Sequence, residues 1–131
     1  MSTEETRSVI EQRVNAVSAF DIPALQNLAA PGARYWTSGP KEKIPFAGDL
    51  SYVDRIGGMP KGLGQVKSRK FTNRGIVVEG DTGVLELHLT GEAPGGHPLD
   101  NGVMMKFVVK DGKIQDVREY MDATSFFHSS F

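Results

Sequence analysis

The chain has 131 residues, 39 % hydrophobic and 24 % charged, with 15 basic against 16 acidic side chains and a net charge of −1. That is the size of one domain, 1–131, and the balance argues against a nucleic-acid or acidic-membrane binder, which needs a clear basic excess. Cysteine is absent, which excludes disulfides, a thiolate nucleophile and a Cys-ligated zinc.

The elements follow in chain order. Residues 2–20 read as an amphipathic helix. Ser2 and Glu5 have capping-box spacing, and Val9, Ile10, Val14, Val17 and Phe20 keep one apolar face opposite Glu4, Glu5, Arg7, Glu11, Gln12 and Arg13. Asp21 is placed to cap a short second helix with Pro23 in its first turn and Ile22, Leu25 and Leu28 as its stripe; Pro31-Gly32 is its expected end. Ala33 to Thr37 reads as a strand. Residues 38–66 are irregular and glycine-rich, with a helical turn or two from Ser51 to Ile56. A meander is expected after Val66, with strands at Lys67–Arg74, Ile76–Glu79, Val84–Gly91, Val103–Lys110 and Ile114–Asp122. Asp111-Gly112 between Lys110 and Lys113 is the strongest hairpin signal, because a type I′ turn needs positive φ at both central residues. Helices followed by an antiparallel meander make an α+β domain whose curved sheet can hold a pocket.

The chemistry-bearing residues lie on the later strands. From Val84 to Leu89 the chain alternates strictly: Leu85, Leu87 and Leu89 share one face, and Glu86 and His88 share the other. Such alternation fits a half-solvated strand with its leucines in the core. It also fits Glu86 and His88 as an acid–base pair in a pocket. On the last strand Val117, Glu119 and Met121 share a face. If that face is inside, Glu119 is a carboxylate among apolar atoms, suited to proton transfer. Arg118, Tyr120 and Asp122 point the other way, as a surface or subunit-contact set. Met105 and Phe107 on one strand, with Tyr35, Trp36 and Phe46 near the start of the sheet, are candidates for lining a pocket or filling the core. His88, His97 and His128 are too scattered for a metal site. The glycines from Gly57 to Gly64 lack the Gly-Lys-Ser/Thr of a phosphate loop.

Trp36, Pro45-Phe46-Ala47-Gly48, and Lys110-Asp-Gly-Lys-Ile114 followed by Arg118-Glu-Tyr-Met-Asp122 carry a resemblance. In these motifs and in element order the chain resembles the nuclear transport factor 2-like superfamily, in its SnoaL-like branch related to ketosteroid isomerase and limonene epoxide hydrolase. The resemblance implies a cone-shaped barrel: a strongly curved antiparallel sheet packed on N-terminal helices, with an apolar pocket and often a dimer. The scaffold serves several reactions and some non-catalytic modules, so fold alone does not decide activity. Glu119 matches the position of the water-activating carboxylate of the epoxide hydrolases, which have Asp there. Their Arg-x-Asp pair is replaced by Glu86-Leu87-His88, a departure that removes the groups their reaction uses.

Two functions are expected from these residues. The first is an isomerase- or cyclase-type enzyme for a small apolar carbonyl or polyketide-like compound. Glu119 would be the base, His88 and Glu86 its partners, and Tyr35, Trp36, Phe46, Met105, Phe107, Val117 and Met121 would line the substrate site, with no metal or organic cofactor. The second is a non-catalytic dimeric module for an apolar ligand or a protein. A homodimer is expected, with no nucleic acid and no membrane partner. No apolar run reaches the roughly 18 residues of a spanning helix, and the polar, acidic start is unlike a secretory signal, so a cytoplasmic location is expected. Residues 49–64 and the phenylalanine-rich tail 125–131 are candidates for a lid. The two functions part on whether Glu86, His88 and Glu119 meet in one buried place.

Overall fold

The structure is a computed structural model that describes residues 2–124; the tail expectation therefore lies outside the described residues. Helix α1 spans Thr3–Ser18, with Ser2 as N-cap accepting the Glu5 N–H at 2.9 Å. Its buried arc is Thr6, Val9, Ile10, Arg13, Ala16 and Val17. Helix α2, Ile22–Asn27, is capped by Asp21, which accepts the Ala24 N–H at 3.1 Å. Strand β1, Ala29–Thr37, follows almost at once, so the chain leaves the helix before Pro31-Gly32. The expected irregular stretch contains strand β2, Gly48–Ser51, and helix α3, Tyr52–Gly57, capped by Ser51. The four remaining strands are β3 (Lys67–Glu79), β4 (Thr82–Glu92), β5 (Pro98–Lys110) and β6 (Lys113–Met121).

The six strands form one open, curved sheet in the order β2-β1-β6-β5-β4-β3, with the helices on its inner face. The fold is the expected α+β cone. The sheet is mixed, because β1 runs parallel to β6 while the other neighbours are antiparallel. Both strands thread the cone in the same direction once α2 has turned the chain, and this pairing sets Thr37 opposite Glu119 and Tyr35 opposite Val117. The two strands expected at 67–74 and 76–79 are one, interrupted by a register shift between Asn73 and Gly75. A bulge absorbs an extra residue without ending the strand. At the far end, Asp111 and Gly112 have φ of 52° and 73°, the handedness a type I′ turn requires.

The core lies between the inner sheet face and the helices. Leu85, Phe107, Val109, Ile114 and Val117 come from the sheet, Ile10, Val17 and Leu25 from α1 and α2, and Tyr52 and Ile56 from α3; all are essentially sealed from solvent. The closest approach is at Gly83, where a Cβ would sit 2.4 Å from Ile10 Cδ1 and 3.2 Å from Val78 Cγ2. Glycine at this position lets α1 settle onto β4 without displacing the end of the Ile10 side chain.

Candidate functional site

The hydrophobic packing is incomplete at one end of the cone, where a cavity of about 190 Å³ remains between the sheet, α1 and α3. Its wall is mostly apolar: Val17, Phe46, Leu63, Phe71, Leu87, Leu89, Leu99, Val103, Met105 and Met121. Its polar groups are Arg13, Tyr35, Asp54, Arg55, Asn101 and Glu119.

Strand parity aims Glu119 inward, along with Val117 and Met121. Its Oε1 accepts the hydroxyl of Tyr35, an inward residue of β1, in a short hydrogen bond. The Tyr35 oxygen in turn accepts Arg13 Nη2 at 3.2 Å. Arg55 Nη2, from α3, lies 3.7 Å from the same Glu119 Oε1. Both contacts fall on Oε1; among the described residues no donor engages Oε2. Aromatic rings hold the guanidiniums in place. Arg55 lies 4.3 Å from the Phe46 ring centre and 5.0 Å from that of Tyr35, and Arg13 lies 5.6 Å from Phe107. The Tyr35 and Tyr52 rings are 5.8 Å apart, and Tyr52 donates to Leu25 O at 2.9 Å.

Burial pushes the Tyr35 hydroxyl well above its ordinary pKa of 10.0. The Glu119 charge adds to the rise, and Arg13 and Arg55 only partly oppose it. Tyr35 therefore remains a neutral donor. For Arg13 burial alone acts to lower the pKa, but Tyr35, Tyr52 and Glu119 outweigh it and the net shift is upward, so the guanidinium keeps its charge. The site gathers a carboxyl group, a phenol and two guanidiniums at the end of a mostly apolar cavity.

Several expected site residues sit here and several do not. Glu119, Tyr35, Phe46, Met105 and Met121 line the cavity. Phe107 and Val117 are on the same inward face but deeper, fully buried in the core. Trp36 follows Tyr35 and so points to the outer face. It lies there 4.1 Å from the Arg118 guanidinium, and its ring centre is 5.2 Å from that of Tyr120. Glu86 and His88 are also on the outer face; Glu86 is exposed, and His88 pairs with Asp100. The expected meeting of Glu86, His88 and Glu119 does not occur, because the leucines of β4 take the inner face. Arg118 hydrogen-bonds Tyr120, and Asp122 is exposed, accepting the Thr124 N–H and hydroxyl, which lower its pKa. No cluster of metal-ligating side chains is present among the described residues.

The sequence reading missed Arg13, Arg55 and Asn101. Arg13 carried a signal: it lies three residues after Ile10 and four before Val17, on the buried stripe. Arg55 lies in the helical turn expected from Ser51 to Ile56, but nothing local set it apart from a surface arginine, and Asn101 lies between the expected strands; neither carried a signal.

An open, curved sheet wrapped on helices into a cone is the fold of the nuclear transport factor 2-like superfamily. The chain belongs to the SnoaL-like domain family, whose sequence model matches residues 10–117. No curated protein matches it. Among solved structures it is similar to a protein described as a SnoaL-like polyketide cyclase from Jannaschia sp. CCS1, with a TM-score of 0.79 and 16 % identity, over 98 % of this chain and 92 % of that one. Bal32a, from a soil-derived mobile gene cassette, gives 0.77 and 21 % over 98 % and 95 %. TerC, co-crystallised with polyporic acid, gives 0.78 and 14 % over 93 % and 95 %. At these identities the likeness concerns the fold. No helix among the described residues is long and apolar enough to cross a membrane.

Proposed function

We propose that this chain is an isomerase- or cyclase-type enzyme that moves a proton on a small, mostly apolar carbonyl compound, with Glu119 as the general base. The observation that carries this reading is the division of labour within one carboxylate: Tyr35 donates to Oε1 with Arg55 3.7 Å away, and Oε2 has no donor among the described residues, in a mostly apolar cavity. A proton taken from a carbon next to the carbonyl goes to Glu119, and the charge left on the substrate oxygen is offset by the guanidiniums that border the cavity. The step needs no metal or organic cofactor. The polyketide cyclase described among its structural neighbours supports the reaction class.

The test is deuterium exchange at the α-carbon of aromatic β-keto esters and cyclic ketones, followed by proton NMR in D₂O. The protein should accelerate exchange for some members. Glu119→Gln should lower that rate by roughly 10²–10⁴-fold without changing the circular dichroism. A Glu119→Gln protein as active as the parent overturns the assignment. The anchoring of Glu119 by Arg55 also suits a second reading, a non-catalytic binding module; saturable binding without exchange would select it.

We also propose a homodimer through the outer sheet face. Tyr120 and Met104 are large apolar groups left 48 % and 46 % exposed there. That face mixes acidic Glu86 and Asp100 with basic Lys106 and Arg118, a pattern a two-fold axis can pair with itself. Light scattering should give twice the chain mass, and Tyr120→Glu should shift it to the monomer; a monomeric parent protein removes the proposal.

A further inference from the structure

The charges around the cavity do not cancel. Glu119 is the single carboxylate of the buried network, set against the guanidiniums of Arg13 and Arg55. Tyr35 is held neutral and contributes no charge. Asp54 also borders the cavity but is an exposed residue of α3, where water screens its charge. Arginine does not shed its proton inside proteins, so one positive charge remains without a buried counter-charge.

Arg55 is the cation with the most unused capacity. Its side chain is only 13 % exposed. Its contact with Glu119 at 3.7 Å is longer than a hydrogen bond. None of its N–H groups has a hydrogen-bond acceptor among the described residues, and its Nε is sealed from solvent. The rings of Phe46 and Tyr35 hold it by cation–π contact, which occupies none of those donors. A buried guanidinium with open donors suits a planar oxyanion, which it can grip through two parallel N–H bonds.

We propose that the cavity takes an apolar ring compound bearing one ionised oxygen acid, a carboxylate or an acidic enol, and that Arg55 is the residue that binds the anion. A dry cavity of 150 Å³ accepts one benzene ring, so the volume here suits one or two fused rings. This rests on the proton-transfer reading only in placing the reacting carbon near Glu119; the charge argument stands without it.

The probes are three compounds of nearly equal size: 2-naphthoate, ionised 2-hydroxy-1,4-naphthoquinone and the neutral methyl 2-naphthoate, each titrated calorimetrically at pH 7. At least one of the two anions should bind ten or more times tighter than the ester. Arg55→Met should remove that preference, and Arg55→Lys should keep part of it. An ester that binds as tightly as both anions overturns the proposal without any variant. Retention of the full anion preference in a folded Arg55→Met protein overturns the role of Arg55. Glu119→Gln should leave anion binding intact or tighten it, since it removes the competing negative charge; weaker binding in that variant counts against the proposal. The two readings fail separately. Exchange unaffected by Glu119→Gln, with anion preference intact, removes the base and keeps the ligand class; the reverse pattern removes the ligand class and keeps the base.

Discussion

The two faces of the sheet are built from the same strands and carry the same kinds of residue, yet only the inner one encloses its polar groups in hydrocarbon. On the inner face, Glu119 meets a phenol and two guanidiniums within hydrocarbon. On the outer face, Glu86, His88 and Asp100 form an equally suggestive set, but water reaches them: Glu86 and Asp100 are exposed residues. The difference lies in parity. Tyr35 and Trp36, Met104 and Met105, and Arg118 and Glu119 are chain neighbours sent to opposite environments, since successive strand side chains alternate. An acid–base pair on a strand is informative only once its face is known.

That contrast can be broken or sharpened by paired substitutions, beginning with the largest effect. Phe107→Ala on the inner face should cost about 3–5 kcal/mol, the usual range for emptying a sealed aromatic site. Met104→Ala on the outer face should stay within about 0.5 kcal/mol in the monomer. Urea melts of the two proteins check this, and equal losses would mean the outer face is covered in solution. Glycines give the next pair. Gly83→Ala drives a methyl into Ile10 and should cost about 1–3 kcal/mol. At Gly102 the nearest atom to an added Cβ is His88 Nδ1 at 3.7 Å, ordinary contact, so Gly102→Ala should be neutral or slightly stabilising.

The smallest effect is in alkaline solution. Folding raises the Tyr35 pKa, so its contribution is complete below the unfolded value of about 10 and declines as the pH climbs from there towards the folded value. Tyrosinate absorbance should therefore show a late phase that coincides with unfolding. Tyr35→Phe should shrink that phase; an undiminished late phase in Tyr35→Phe would overturn the assignment.

What could be read in advance follows from which interactions are local. The caps at Ser2 and Asp21 and the Asp111-Gly112 turn are decided within a few residues, and they stand where the sequence put them. So does the alternation that sets Glu119 opposite Arg118 and Tyr120. The parallel pairing of β1 with β6 joins residues some 80 positions apart and leaves no local mark. Pro98, which reads as turn chemistry, opens β5 at its first position, where a missing N–H matters least; this hid Asn101. By its charge Arg13 reads as a solvent residue, although its position continues the buried stripe. In the folded chain its stem continues the apolar stripe and its head finds Tyr35.

The outermost strand has one more consequence. β3 ends the sheet, with no strand beyond it among the described residues, and a 13-residue free edge is a template on which another chain could add. It carries Lys67, Lys70 and Arg74 exposed along its length, and its hydrogen-bond ladder is broken beside Gly75. These like charges work against self-association: two such edges repel before their backbones can zip together, and the bulge spoils the register if they try.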